Sequence, residues 1–152
     1  MRYLTGVEVS STLANLIHRE TQQHDYETDL TVGALFRLTG PGALDFGGSE
    51  YALAEREDLT PEIASPDDKY SWWDLGPGAY VARYNETLAL AGEQIAFVQP
   101  HERLLLAGGF HPPFHFRGQR QAIETLLIVS QAGLRIKENA RLSKLLVLQL
   151  DE

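Results

Sequence analysis

Polar and apolar positions along the chain change period twice. From Ser10 to Gln23 the spacing predicts a helix: Ser10 or Ser11 stands ready as cap, and Leu13, Leu16, Ile17 and Glu20 follow a 3.6-residue repeat. From Asp29 the period drops to two. Leu30, Val32, Ala34, Phe36 and Leu38 fall on one face and Thr31, Gly33 and Arg37 on the other, which predicts a half-buried strand. Between Thr39 and Gly76 the repeat dissolves into Gly40-Pro41-Gly42, Gly47-Gly48 and a scatter of acids, so this stretch is expected as a long surface excursion with one short strand near Tyr51–Ala54. Trp72 and Trp73 stand out within it. One reading makes a Trp the anchor of the excursion on the core, the other a base-stacking platform.

After Gly78 short apolar runs recur at Ala79–Tyr84, Gln94–Val98, Leu104–Ala107, Gln121–Val129, Leu134–Ile136 and Leu142–Leu150. Evenly spaced short strands divided by Gly and Pro predict a mostly β protein, a distorted β-barrel or sandwich, in place of alternating β and α units. In Leu145-Leu146-Val147-Leu148-Gln149-Leu150 both faces are largely apolar, which implies burial on both sides or a contact with another copy.

Composition narrows the class. A chain of 152 residues reads as a single domain over 1–152 and can bury roughly 68–70% of its unfolded surface. Hydrophobic residues make up 43% and charged ones 22%, too apolar for a disordered chain. No run reaches the ~18 consecutive apolar residues of a membrane span, and no basic-then-apolar leader opens the chain. A cytoplasmic protein with no membrane partner is the expectation, and the lack of cysteine agrees with it while excluding thiolate metal sites. The formal charge of −8, from 13 basic against 21 acidic residues, provides no footprint for a nucleic-acid polymer. A small anion is still compatible with it, because a few Arg or backbone N–H groups suffice.

Three ordered segments resemble the superfamily of dUTP diphosphatases and dCTP deaminases, nearest its deaminase-like branch. They are Thr28–Arg37, similar to the family's early Asp-hydrophobic-x-hydrophobic-Gly strand; Leu75–Leu104, with its Pro-Gly opening, Glu86-Thr87-Leu88-Ala89-Leu90 and Ile95–Leu104; and Arg141–Asp151, similar to its closing strand. Phe116-Arg117-Gly118 matches the end of the motif that carries the family's catalytic acid. The resemblance implies a distorted β-barrel (β-clip) assembled as a homotrimer, clefts between subunits, and a Mg2+-bound pyrimidine deoxynucleoside triphosphate as ligand.

Where the family has Gly-Arg-Ser-Ser-Leu to bind phosphate, this chain has Pro100-His101-Glu102-Arg103-Leu104. Both hydroxyls are gone and Glu102 puts a negative charge where phosphate would sit, so it must turn away, be neutralised or abolish that binding mode. Arg103, two places along, would share the strand face of the missing Arg at a displacement of roughly 7 Å. Pro113 stands at the family's Asp position, and Glu124 lies near the Glu that deaminases use as proton shuttle, one residue late and hence on the opposite face unless a bulge intervenes. Lys144 replaces the closing strand's Gln, and Asp29 matches the family's early Asp. The resemblance therefore implies Glu124 and Glu102 as candidate acids and His101, Arg103, Arg117, Lys144 and Asp29 as candidate ligand contacts. Two alternatives stay open: a catalytically inactive relative serving as an assembly or interaction scaffold, and a metal-dependent β-barrel enzyme using His101, His111 and His115. Against the latter, Pro112 and Pro113 exclude a helix, and an extended chain would separate His111 from His115 by about 13 Å.

Overall fold

The computed structural model describes residues 1–151. Its elements in chain order are β1 (Arg2–Tyr3), α1 (Gly6–Ser11), β2 (Leu13–Ala14), α2 (Arg19–Gln22), β3 (Thr28–Leu38), β4 (Arg56–Asp58), β5 (Trp72–Leu75), β6 (Gly78–Tyr84), β7 (Thr87–Ala89), β8 (Gln94–Pro100), α3 (Glu102–Ala107), β9 (Gly109–Phe110), β10 (Phe114–Phe116), β11 (Gln119–Arg120), β12 (Glu124–Val129), β13 (Leu134–Lys137) and β14 (Arg141–Gln149). The main sheet runs β10-β8-β14-β3-β6-β12-β9, with β1 added on β14 and β4 on β3. A three-stranded sheet β11-β7-β2 and the pair β13-β5 complete the curled, mostly β architecture. Every pairing is antiparallel. No helix among the described residues is long and apolar enough to cross a membrane.

Leu30, Val32, Leu127, Leu145, Val147 and Val98, all at 0–1% exposure, form the centre of the core where β3, β8, β12 and β14 meet. The expected alternation in β3 breaks in the middle. A bulge between Val32 and Ala34 brings Leu35 to the interior and leaves Ala34 and Leu38 only half-buried. An extra residue in one strand shifts every later side chain by one face.

The helix expected over 10–23 is replaced by two short ones. Asn15 in the left-handed region at φ 67° interrupts the path, and Leu13 pairs with Leu88 as a strand. The first helix starts earlier, capped by Thr5 in a reciprocal box with Glu8, while Ser10 is buried against the Thr28 hydroxyl. Leu104–Ala107 also departs from expectation, being the body of α3 and not a strand. His101 caps its N-terminus and Gly108, at φ 104°, closes its C-terminus with a left-handed turn. A run of four apolar residues fits either period, and the two caps decide it here.

In the excursion only Ala43 and Ala52 bridge near the expected 51–54 strand, whereas β4 and β5 were not anticipated there. The Trp pair divides its roles. Trp73 is buried and donates its indole N–H to the Leu59 carbonyl at 2.8 Å, anchoring the excursion, while Trp72 is half-buried beneath Arg135 and Lys137. In the last strand Leu145 and Val147 are buried, and Leu146 and Leu148 lie half-covered opposite Phe97 and Ile95 of β8.

Candidate functional site

The turn from β8 into α3 places His101 at the N-cap, where its Nδ1 accepts the Arg103 backbone N–H at 3.1 Å. Because α3 is a helix, Arg103 does not share a face with His101. Two residues turn the side chain by about 200°, and the strand-based shift expected from sequence does not apply. Arg103 instead lines a groove of about 570 Å3 together with Trp72, Lys137 and Arg141.

Two substitutions that stood apart in the sequence prove to be one contact. The Glu102 carboxylate accepts a hydrogen bond from Lys144 Nζ at 2.5 Å, and Lys144 also lies 3.3 Å from Glu27. The hydrogen bond from Lys144 holds Glu102 below the usual carboxylate range, and the same bond raises Lys144. Of the three outcomes open for Glu102, the structure selects neutralisation.

Beneath this pair lies Asp29, fully buried and opposite Lys144 in the β3–β14 register. Its Oδ2 accepts from Arg141 at 3.0 Å and sits 3.0 Å from His24 Nε2 and 3.7 Å from His101 Nε2. Oδ1 has no protein partner among the described residues. Burial pushes His101 down, with Asp29 opposing.

Glu124 stands elsewhere, at the start of β12. It shares the outward face of that strand with the exposed Leu126 and Ile128, opposite Arg83 of β6. Its carboxylate accepts from Arg56 at 2.7 Å and from Arg83 at 3.2 Å, and both guanidinium groups lie about 5 Å over the ring of Phe36. Glu124 also lines a second groove, of about 320 Å3, with Phe114, His115, Phe116 and Arg120. Phe114 and Phe116 stack there with centroids 6.2 Å apart, and Arg120 lies over Phe116. Arg117 is not part of this groove's lining, and its guanidinium donates to the Gly92 carbonyl. Pro113 is exposed on the preceding loop. Sequence reasoning missed Arg56 and Arg83, which reach Glu124 from 68 and 41 residues away. No local signal marks them.

His101, His111 and His115 do not gather into a metal site. His111 is fully buried, its Nδ1 donating to the Pro112 carbonyl at 2.9 Å. In the neutral ring Nε2 is then the acceptor, facing the Ser143 hydroxyl at 2.7 Å, which in turn meets the Tyr84 hydroxyl. With both ring nitrogens engaged, His111 is a structural post, and among the described residues no three His, Asp or Glu side chains are placed to hold a metal. Burial pushes His111 below its ordinary value of 6.5. The stability it contributes is therefore complete above that value and lost as pH falls. Glu86 has the opposite sign, since burial raises it and folded stability declines as pH climbs through its range. We expect His111→Gln, which keeps a donor and an acceptor, to lose less melting temperature than the unaltered chain as pH falls below 6.5. An unchanged slope in thermal melts of the variant would assign the acid sensitivity to other groups.

No protein-family profile matches the chain. Among curated proteins it is 30% identical over 141 residues to a probable deoxyuridine 5'-triphosphate nucleotidohydrolase of Methanosarcina acetivorans, covering 91% of this chain and 79% of that one. The chain belongs to the dUTPase and dCTP deaminase superfamily. A probable dUTPase of Aeropyrum pernix is 27% identical over 129 residues, covering 81% of this chain and 73% of that one. In fold, the superfamily member matches the crystal structure of 2'-deoxycytidine 5'-triphosphate deaminase from Agrobacterium tumefaciens with a TM-score of 0.67 at 15% identity. That match covers 95% of this chain but 46% of the deaminase chain, so this dUTPase-like chain spans about half of it.

Proposed function

We propose that this dUTPase-like protein binds a pyrimidine deoxynucleoside triphosphate between copies of itself in a homotrimer and hydrolyses it, with Glu124 as the acid–base residue. The observation that carries the reading is the position of Glu124. It is a part-exposed carboxylate at the rim of an aromatic-walled groove, built on the loop that resembles the family's catalytic motif. Half-buried Phe114, backed by the buried Phe116, provides apolar surface for a base, and Arg120 a cation at the groove's mouth. Glu124 would take the proton of an attacking water, and Arg56 and Arg83 hold its carboxylate in one orientation for that step.

The other half of the resemblance lies at the α3 turn, where His101, Glu102 and Arg103 replace the phosphate-binding sequence and Lys144, at the closing strand's Gln position, meets Glu102. Among the described residues no hydrogen bond or ion pair joins this turn to Glu124, and the two line different grooves. A site split in this way on one chain is what assembly from neighbouring subunits would complete. Magnesium would arrive on the nucleotide's phosphates, because among the described residues no three His, Asp or Glu side chains are placed to hold it. The trimer and the cytoplasmic location belong to the same proposal.

Calorimetric titration with dUTP, dCTP and dTTP in magnesium, together with a pyrophosphate-release assay, tests it. We expect heat for at least one nucleotide, and turnover that drops about 100-fold in Glu124→Gln. No heat for any of the three sinks the nucleotide reading. Heat without turnover favours a second reading, a non-catalytic relative, which the Glu102–Lys144 pair already supports by filling the phosphate turn with the chain's own charges.

A further inference from the structure

The excursion after β3 carries an arm that the nucleotide site does not use. Ala43 and Ala52 bond to each other in both directions, at 2.9 and 3.0 Å, and clamp its base. Both oxygens of Asp45 accept backbone N–H groups within it, from Gly48 and Glu50, each at 2.9 Å. This ordered loop holds Leu44 at 89% and Phe46 at 108% exposure, with Leu53 exposed at 64%. Two large apolar side chains at the tip of a well-bonded loop are unsatisfied by their own chain, the usual mark of an anchor for a partner. The arm is also acidic. Residues 43–55 contain Asp45, Glu50 and Glu55 and no Lys or Arg, and among the described residues neither Glu50 nor Glu55 has a basic partner.

The larger groove, about 570 Å3, has the complementary character. Leu104, Leu134, Ile136 and Leu142 form an apolar floor, and Arg103, Lys137, Arg135 and Arg141 stand around it against a single acid, Glu138. Arg135 pairs with Asp74 and Arg141 with Asp29, whereas Arg103 and Lys137 have no carboxylate partner among the described residues. In a chain of net charge −8 such a local excess of cations is unusual. The groove thus offers an apolar floor and two unpaired cations to an arm that offers apolar anchors and two unpaired anions.

We infer that the arm of one copy docks in this groove of a second copy, Phe46 and Leu44 entering over the floor while Glu50 and Glu55 meet Arg103 and Lys137. Opposite charges at the rim would orient the encounter and the apolar anchors would hold it. This contact uses neither Glu124 nor the smaller groove and shares only Arg103 with the nucleotide proposal, so the cross-link reads it without any nucleotide present.

The absence of cysteine makes the test direct. A Phe46→Cys chain is mixed under mild oxidation with an Ala107→Cys chain, Ala107 being an exposed residue on the groove wall. The expected result is a disulfide-linked heterodimer at least tenfold more abundant than with the exposed control Gln131→Cys in place of Ala107→Cys. In parallel, Arg103→Glu with Lys137→Glu should suppress the cross-link tenfold, and pairing it with an arm carrying Glu50→Lys and Glu55→Lys should restore it. Equal cross-linking to the control, or charge variants without effect, overturns the inference. So does a double variant that closes within one chain at high dilution.

Discussion

Replacing Asp29 by alanine is expected to lower folding stability by about 4 kcal/mol, read as a shift of the urea midpoint at unchanged slope. The carboxylate has no solvent contact and holds three groups together: Arg141 at 3.0 Å, His24 at 3.0 Å and His101 at 3.7 Å. These come from α3's cap, from β14 and from the loop before β3, so one side chain joins three segments distant in sequence. Removing it leaves the Arg141 guanidinium, only 23% exposed, facing a cavity without its counter-charge. An uncompensated part-buried charge costs more than the pair itself contributes, and this asymmetry sets the size of the effect. Asp29→Asn keeps the shape and one acceptor and should lose about half as much. If Asp29→Ala proved no worse than an ordinary surface substitution, about 0.5 kcal/mol, the cluster would be solvated in solution and not a structural tie.

Gly6→Ala is expected to cost at least about 3 kcal/mol, against the direction that helix propensity predicts. Gly6 opens α1, where alanine is intrinsically better by about 1 kcal/mol. A Cβ at this position would lie 1.6 Å from the backbone oxygen of His24 and 2.7 Å from its carbonyl carbon. Those are main-chain atoms, so no rotamer change relieves the contact. The Gly6 N–H also donates to the Asp25 carbonyl at 2.7 Å, which fixes the approach of helix and loop. Relief would require the 24–27 loop to withdraw, carrying His24 away from Asp29. Val7→Ala, at an exposed neighbour, serves as control and should change stability by no more than about 0.5 kcal/mol. Thermal melts showing Gly6→Ala equal to or above wild type would mean that helix and loop separate freely.

Much of the β framework was legible because its signal is local. Runs such as Leu142–Leu150 and Ala79–Tyr84 declare themselves by apolar content and turn residues, and the strands formed within a few residues of those limits. Elements that failed did so where local preference was balanced. Ser10–Gln23 has a helical stripe, yet Leu13 gains more by pairing with Leu88 than by continuing a helix, and Ser10 is drawn inward to Thr28. Leu104–Ala107 offers four apolar residues to either period, and the choice is made by His101 and Gly108 at its ends.

The candidate site was legible as chemistry and not as geometry. Glu102 and Lys144 were each visible as departures from the family pattern, but their compensation depends on β14 lying beside β8 and presenting Lys144 to the α3 turn. Glu124 was visible too, while its clamp by Arg56 and Arg83 was not, because those partners come from strands with no periodic relation to it.

By itself the sequence determined membership in the dUTPase and dCTP deaminase superfamily, the mostly β fold and the inventory of charged groups, since motif order, period and composition are one-dimensional properties. Tertiary structure alone decided which charges neutralise one another, which histidine is locked between Pro112 and Ser143, and which apolar residues are left exposed on the arm at Leu44 and Phe46. The reason is physical: ion pairing and burial depend on distances of 3–4 Å between segments tens of residues apart, and only the packed sheet sets those distances.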